Sequence, residues 1–240
     1  MRLLLDAGNT RWKWAIEENS SLIDCGVINS ANMLSLEQKI ENLPTKTITS
    51  FAVSSVVAEK NISISRWGET YLGLSPSFAK VKKHYGGVTA SYANIDNLGV
   101  DRWLAMLAAW QKVQSACLVV DAGSALTVDC IDHSGLHQGG LIVPGIAMMR
   151  RALFEKTSAV KVDAINIHHD WKLGCDTIPC VANGLSAMIK GFMAELTAKM
   201  EPDTKIFVTG GDAFSVKSFL PEHAQISEYL VLEGLMQTES

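Results

Sequence analysis

A chain of 240 residues with 48% apolar and 19% charged side chains has enough hydrophobic surface for a core, which excludes a disordered polymer. Its net charge of -4 gives no basic surface for nucleic acid, and no apolar run reaches the ~18 residues of a membrane span. The five cysteines are scattered without a CxxC pair, as expected of reduced cytosolic thiols mostly buried as small apolar groups, and Met1 runs straight into a strand with no cleavable leader.

In chain order, Leu3–Ile16 (LLLDAGNTRWKWAI) reads as two apolar runs around a glycine turn, the pattern of a β-hairpin. Ser21–Asn29 extends it as a third strand. Ser35–Leu43 predicts a short helix ended by Pro44, Thr47–Val57 a buried parallel strand, Asn61–Leu72 a helix and Ser77–Lys83 an edge strand. Tyr85–Gly99 clusters Gly, Ser, Asn and Asp and reads as a long loop, which in a compact protein usually carries function.

Asp101–Ser115 is the clearest helix, with Trp103, Leu104, Leu107, Ala108, Trp110 and Val113 on one face. The division between domains 1–115 and 116–240 is expected at its end. Leu118–Ile131 (LVVDAGSALTVDCI) repeats the hairpin pattern, and Gly139–Gly145 holds a strand between turn signals. A helix over Ile146–Phe154, an irregular connection over Thr157–Trp171 and a helix over Pro179–Met200, interrupted at Gly184 and Gly191, follow. Lys205–Thr209 is a strand ending in Gly210-Gly211-Asp212, then come a helix, a short strand and a closing helix over Tyr229–Met236. Each half reads as a β-meander followed by alternating helix and strand, an α/β plan.

The chemistry concentrates in the two hairpin turns. Asp6, Ala7 and Gly8 recur half a chain later as Asp121, Ala122 and Gly123, followed by the hydroxyl of Ser124. A carboxylate can hold hydrated magnesium, and a glycine lets backbone approach phosphate. Two such turns predict a duplicated domain facing one nucleotide phosphate chain across a cleft. A carboxylate after three apolar residues is costly to bury unless it has a partner, which two ordinary hairpins do not explain. No GxxxxGK[ST] and no strand-to-helix GxGxxG offers a rival phosphate site.

Gly99-Val100-Asp101-Arg102 joins the long loop to the Trp-rich helix. Asp101 there serves either as a first-turn cap or as a general base, with Arg102 as a fork for a substrate carboxylate and Tyr92 lining the same pocket. Gly210-Gly211-Asp212 is either an adenine approach or a plain helix entry. His168, His169, Cys175 and Cys180 match no common zinc spacing.

DAGNT with Lys13, the Tyr92–GVDRW stretch, DAGSALTVD, GGLIVPG and VTGGDA, in this order, resemble the type III pantothenate kinases of bacteria. The resemblance spans essentially the whole chain. It implies two duplicated ribonuclease-H-like, actin-like ATPase domains with mixed sheets flanked by helices and a nucleotide cleft between them. It also implies ATP-dependent phosphorylation of pantothenate, the first step toward coenzyme A, by a cytoplasmic homodimer with neither nucleic-acid nor membrane partners.

Position by position, the resemblance makes Asp6, Ala7, Gly8, Asn9, Thr10, Arg11, Trp12 and Lys13 the first phosphate loop, with Asp6 near Mg2+. Asp101 becomes the proton acceptor, with Tyr92, Gly99, Val100 and Arg102 around pantothenate. Ser124, where the family usually has Thr, would bind ATP. Asp121 matches a monovalent-cation position for K+ or NH4+, and Thr177 a substrate contact reached from the partner subunit. Around Thr177 the sequence departs from the family pattern, with Asp176 before it and Pro179 and Cys180 after. A catalytically silent nucleotide-binding accessory protein, or a kinase for another small hydroxy acid, are the alternatives. The first could dispense with Asp101 and Arg102, and the second would differ only in the acceptor pocket.

Overall fold

Strand β1 (Arg2–Ala7) pairs antiparallel with β2 (Arg11–Glu18), which pairs antiparallel with β3 (Ser21–Asn29). On its other side β1 runs parallel to β4 (Ser50–Ser55), and β4 runs parallel to the two-residue β5 (Ser77–Phe78). The resulting sheet has the order β3-β2-β1-β4-β5. The structure, a computed structural model, describes residues 1–29, 33–41, 47–154 and 166–238.

The same plan is built a second time. Strand β8 (Cys117–Ala122) pairs antiparallel with β9 (Ala125–Ile131), and β9 with β10 (His137–Pro144). Strand β8 is parallel to β11 (Lys205–Thr209), which is parallel to β12 (Gln225–Ile226). The order β10-β9-β8-β11-β12 matches the first sheet strand for strand. Asp6 and Asp121 therefore occupy equivalent places at the ends of β1 and β8, and the duplication read from the paired turns is structural.

The chain forms two compact units, Met1–Lys112 with Tyr229–Ser240, and Val113–Glu228. In the first, one sheet face buries Leu3, Leu5, Trp14, Phe51 and Val53 against Leu36 and Ile40 of α1 (Met33–Ile40) and Ile64 and Trp67 of α2 (Ala58–Trp67). Helix α7 (Leu230–Met236) packs on β1, β2 and β4. Gly234 of that helix lies against the Leu104 backbone of α3 (Val100–Val113) so closely that a Cβ would collide with it. The closing helix thus packs with the first sheet, although the whole second unit separates it from α3 along the chain. In the second unit, β8, β9 and β11 bury Leu118, Val120, Leu126 and Val208 against Leu185, Ile189 and Met193 of α5 (Thr177–Ala198) and Val216 of α6 (Ala213–Lys217).

Several expectations are corrected. Helix α1 starts two residues before the expected Ser35, and the expected end at Pro44 lies outside the described residues. Helix α2 begins at Ala58 and runs into a π-helical turn, Gly68–Leu72, closed by Gly73 at φ +69°. Tyr85–Gly99 is not wholly a loop: β6 (His84–Tyr85) and β7 (Val88–Thr89) form a small hairpin through Gly86 and Gly87, and Ile95–Asn97 is a 3-10 turn. Helix α5 passes through Gly184 and Gly191 unbroken, because glycine weakens a helix by only ~1 kcal/mol and packing supplies the rest. It starts at Thr177, before Pro179, since a proline in the first helical turn gives up an amide that has no helical partner there. Helix α4 (Ile146–Phe154) lies where expected, and residues 157–165 of the irregular connection fall outside the described residues. Of the cysteines only Cys117 is buried; Cys175 and Cys180 are exposed and all five are free thiols. No helix among the described residues is long and apolar enough to cross a membrane.

Candidate active site

Sheet register brings the first set of polar groups together. Asp6 on β1 stands opposite Lys13 on β2 and opposite Ser54 on β4. Residues in register on neighbouring strands project from the same face, so cation, carboxylate and hydroxyl form one row across three strands. That face is the one under α7. Arg2, four residues earlier on β1, donates to the Met236 carbonyl at 3.2 Å, and the Lys13 ammonium lies 6.0 Å from the ring centre of Tyr229.

The turn from Gly8 to Arg11 is tied down from outside. Lys60 of α2 donates to the carbonyls of Gly8 at 3.0 Å and Asn9 at 3.2 Å. Those carbonyls thus point toward Lys60. Trp12 is buried while Asn9, Thr10 and Arg11 are exposed. A Cβ on Gly8 would lie 2.8 Å from the Arg11 carbonyl, so the tight turn itself requires glycine. A lone lysine in α2 carried no sequence signal for this role.

The second turn is one residue shorter: Ala122 opposes Leu126, where Ala7 opposes Trp12. Its row is Thr127, Asp121 and Thr209 across β9, β8 and β11. The Gly123 amide donates to the Ala125 carbonyl at 3.0 Å, and the Ser124 carbonyl accepts from Gly145 at 3.1 Å. Gly210, at φ +97°, presses on the Ala122 carbonyl, and a Cβ there would lie 2.5 Å from Asp121 Oδ1. The Asp212 amide donates to the Ala122 carbonyl at 2.9 Å. The glycine of the GGD stretch is thus used by the end of β8, which supports the plain helix-entry reading of that segment. Asp129, the other carboxylate of this hairpin, is buried on His137 at 3.0 Å.

At the start of α3 the acceptor candidates converge. Arg102 is buried as a residue, and its guanidinium donates to the Tyr92 hydroxyl at 2.9 Å. Asp101 Oδ1 accepts from the Arg102 amide at 2.8 Å, and the Trp103 amide bonds the Gly99 carbonyl at 3.0 Å. A Cβ on Gly99 would sit 2.6 Å from Asp101 Oδ1, so glycine is what lets that carboxylate fold back over the helix start. Val100 is buried. Tyr92, Gly99, Val100, Asp101 and Arg102 are therefore brought to one place, and the cap and base readings of Asp101 share one geometry. Thr177 is exposed at the first position of α5, its amide bonded by Asp176 at 2.7 Å. His168 and His169 join no group of metal ligands with the exposed cysteines among the described residues.

Comparison with known proteins shows what the chain is similar to. A family model described as type III pantothenate kinase matches residues 2–199. A type III pantothenate kinase of Teredinibacter turnerae is 37% identical, over 98% of this chain and 97% of its own length. Among solved structures, a candidate Baf-family transcriptional activator from Campylobacter jejuni superposes with a TM-score of 0.60 at 21% identity, covering 97% of this chain and 94% of the other. The activator of the 2-hydroxyisocaproyl-CoA dehydratase from Clostridium difficile, solved with bound ADPNP, gives 0.53 at 11% identity, covering 98% and 92%. The structural likenesses establish the fold, an α/β chain of two mixed-sheet, actin-like halves.

Proposed function

The chain belongs to the type III pantothenate kinase family, and we propose that its hairpin turns and the start of α3 divide that chemistry between nucleotide and acceptor. The enzyme transfers the terminal phosphoryl group of ATP to pantothenate, giving 4′-phosphopantothenate in the first step of coenzyme A biosynthesis.

In our assignment Asp6, Ala7, Gly8, Asn9, Thr10, Arg11, Trp12 and Lys13 bind ATP, with turn amides and the Lys13 ammonium directed at phosphate. Ser124 adds a hydroxyl from the second turn. The first row fits magnesium: Asp6 offers a hard oxygen, and beside it lies the buried Ser54 hydroxyl, without a hydrogen-bond partner among the described residues. Magnesium, when bound, neutralises charge on the phosphate oxygens. Asp101 accepts the proton of the attacking hydroxyl, while Arg102, steadied by Tyr92, takes the pantothenate carboxylate and Gly99 and Val100 shape the pocket. The observation that carries the acceptor assignment is the Tyr92–Arg102 hydrogen bond, which ties the side chain of a buried residue at the start of α3 to the loop before it.

Asp121 is assigned to a monovalent cation, K+ or NH4+, supported by the close glycine roof at Gly210. Rates in potassium and sodium buffers at equal ionic strength test it, and equal rates overturn it. A homodimer placing Thr177 at the partner's pocket is supported by large apolar side chains left exposed on β10 (Leu141, Ile142), α4 (Met148, Leu153) and α5 (Ile178, Met188). The enzyme is assigned to the cytoplasm, where its reduced thiols suit the compartment. ATP consumption measured with and without pantothenate tests the whole reading; turnover independent of pantothenate, or stimulated equally by another hydroxy acid, overturns it.

A further inference from the structure

Ser54 sits at 0% exposure on β4, and its Oγ has no hydrogen-bond partner among the described residues. A buried hydroxyl in that state is destabilising, because it has given up its hydrogen bonds to water without replacing them. Packing alone gives no reason for it, since alanine or valine fills such a position without the penalty, as Ala52 and Val53 do just before it. The neighbour that makes the hydroxyl intelligible is Asp6, directly in register with it on β1.

The duplicated half supplies an internal control. Thr209 on β11 stands in register with Asp121 on β8, the same relation that Ser54 has to Asp6. Thr209 is equally buried, at 1%, yet its Oγ1 donates to the Glu228 carbonyl at 3.3 Å. Both halves thus carry a buried hydroxyl beside the turn carboxylate. In the second half that hydroxyl is engaged by backbone; in the first it is held in reserve.

We propose that Ser54 is a positioning residue for Asp6, its hydroxyl donating to the Asp6 carboxylate when magnesium and nucleotide are bound. Full burial keeps Ser54 from touching nucleotide or metal, so it acts through Asp6, fixing that carboxylate's orientation. The hydroxyl's cost in the empty protein is then offset only in the loaded state, which couples nucleotide binding to the order of the strand ends. This inference rests on the assignment of Asp6 to magnesium and nucleotide.

The test compares Ser54→Ala, Ser54→Thr and Asp6→Asn with the parent enzyme. Calorimetry measures binding of a non-hydrolysable ATP analogue with magnesium and with EDTA, and thermal unfolding is followed with and without the analogue. Removing an unpaired buried hydroxyl leaves the Tm of empty Ser54→Ala equal to or above the parent's. Its magnesium-dependent affinity falls roughly tenfold, the equivalent of one hydrogen bond to a charged group. Its affinity in EDTA does not change, and Ser54→Thr, the residue of the second half, restores most of the loss. Unchanged magnesium-dependent affinity in Ser54→Ala, with binding lost in Asp6→Asn, overturns the inference and leaves the Asp6 assignment standing. Normal binding in Asp6→Asn overturns that assignment and the inference with it. Equal losses with magnesium and with EDTA in Ser54→Ala, alongside a lowered Tm, assign Ser54 to structure alone and also overturn it.

Discussion

The Tyr92 hydroxyl accepts a 2.9 Å hydrogen bond from the Arg102 guanidinium, whose Cζ lies 5.8 Å from the centre of the Tyr92 ring. Ring and guanidinium hold each other in place at the mouth of α3, so the arginine's fork is oriented before any acceptor arrives. Tyr92→Phe keeps the ring and removes the acceptor oxygen. The pantothenate KM is expected to rise about tenfold with kcat within about twofold, the pattern of lost positioning rather than lost chemistry. Steady-state kinetics in pantothenate checks this, and a fall in kcat at constant KM contradicts it.

Asp101 caps its own helix through the Arg102 amide at 2.8 Å, a bond that asparagine can also accept. Asp101→Asn is therefore expected to unfold at the same temperature as the parent and to bind pantothenate with similar affinity. Turnover should fall roughly 10²–10⁴-fold, because the amide cannot take up the proton. Near-normal turnover would leave Asp101 a cap only.

The two turn glycines are predicted to behave differently. A Cβ on Gly8 lies 2.8 Å from a backbone carbonyl, whereas on Gly123 the nearest atom is Asp121 Oδ1 at 3.3 Å, the movable end of a side chain. Gly8→Ala should lower Tm and nucleotide affinity together. Gly123→Val should keep Tm within a few degrees and lose nucleotide binding, by placing its branch where phosphate approaches. Differential scanning fluorimetry with and without an ATP analogue separates the two.

Burial pushes the Cys117 thiol up from 9.0 to about 12. The folded state favours the protonated thiol, so this contribution is complete below about pH 9 and is lost as pH rises from there toward 12, at no more than ~1.4 kcal/mol per pH step. Urea unfolding between pH 7.5 and 10.5 should show a steeper decline for the parent than for Cys117→Ala, with the two curves converging at high pH. Parallel curves would contradict the assignment. At pH 8 a thiol reagent should label exposed Cys175 and Cys180 before Cys117.

Pocket sharing between subunits is tested by mixing Asp101→Asn with Thr177→Val protomers. A mixed dimer then holds one doubly damaged pocket and one intact pocket, so activity should recover toward one working pocket per mixed dimer. No recovery, in a preparation whose subunits demonstrably exchange, removes Thr177 from the acceptor site.

The sequence by itself determined what depends on near neighbours. Apolar alternation around a glycine turn defined both hairpins, and β3 and β11 lie where their patterns end. Helical periodicity located α3 to within a residue or two, and the DAG turns, the GVDRW stretch and Tyr92 carry the family resemblance in the sequence alone. Only the tertiary structure decided what depends on distant pairing. The row of Lys13, Asp6 and Ser54 exists because β2 and β4 both register on β1, and no local pattern announces that Ser54 will face a carboxylate 48 positions away in a neighbouring strand. Lys60 reaches the first turn only because α2 packs beneath it. Gly210 is required not by its own turn chemistry alone but by the β8 end that it touches. Helix α7 completes the first sheet rather than the second because its apolar side finds room on β1 and against α3 at Gly234, a choice made by long-range packing, whose energy no short window of sequence contains.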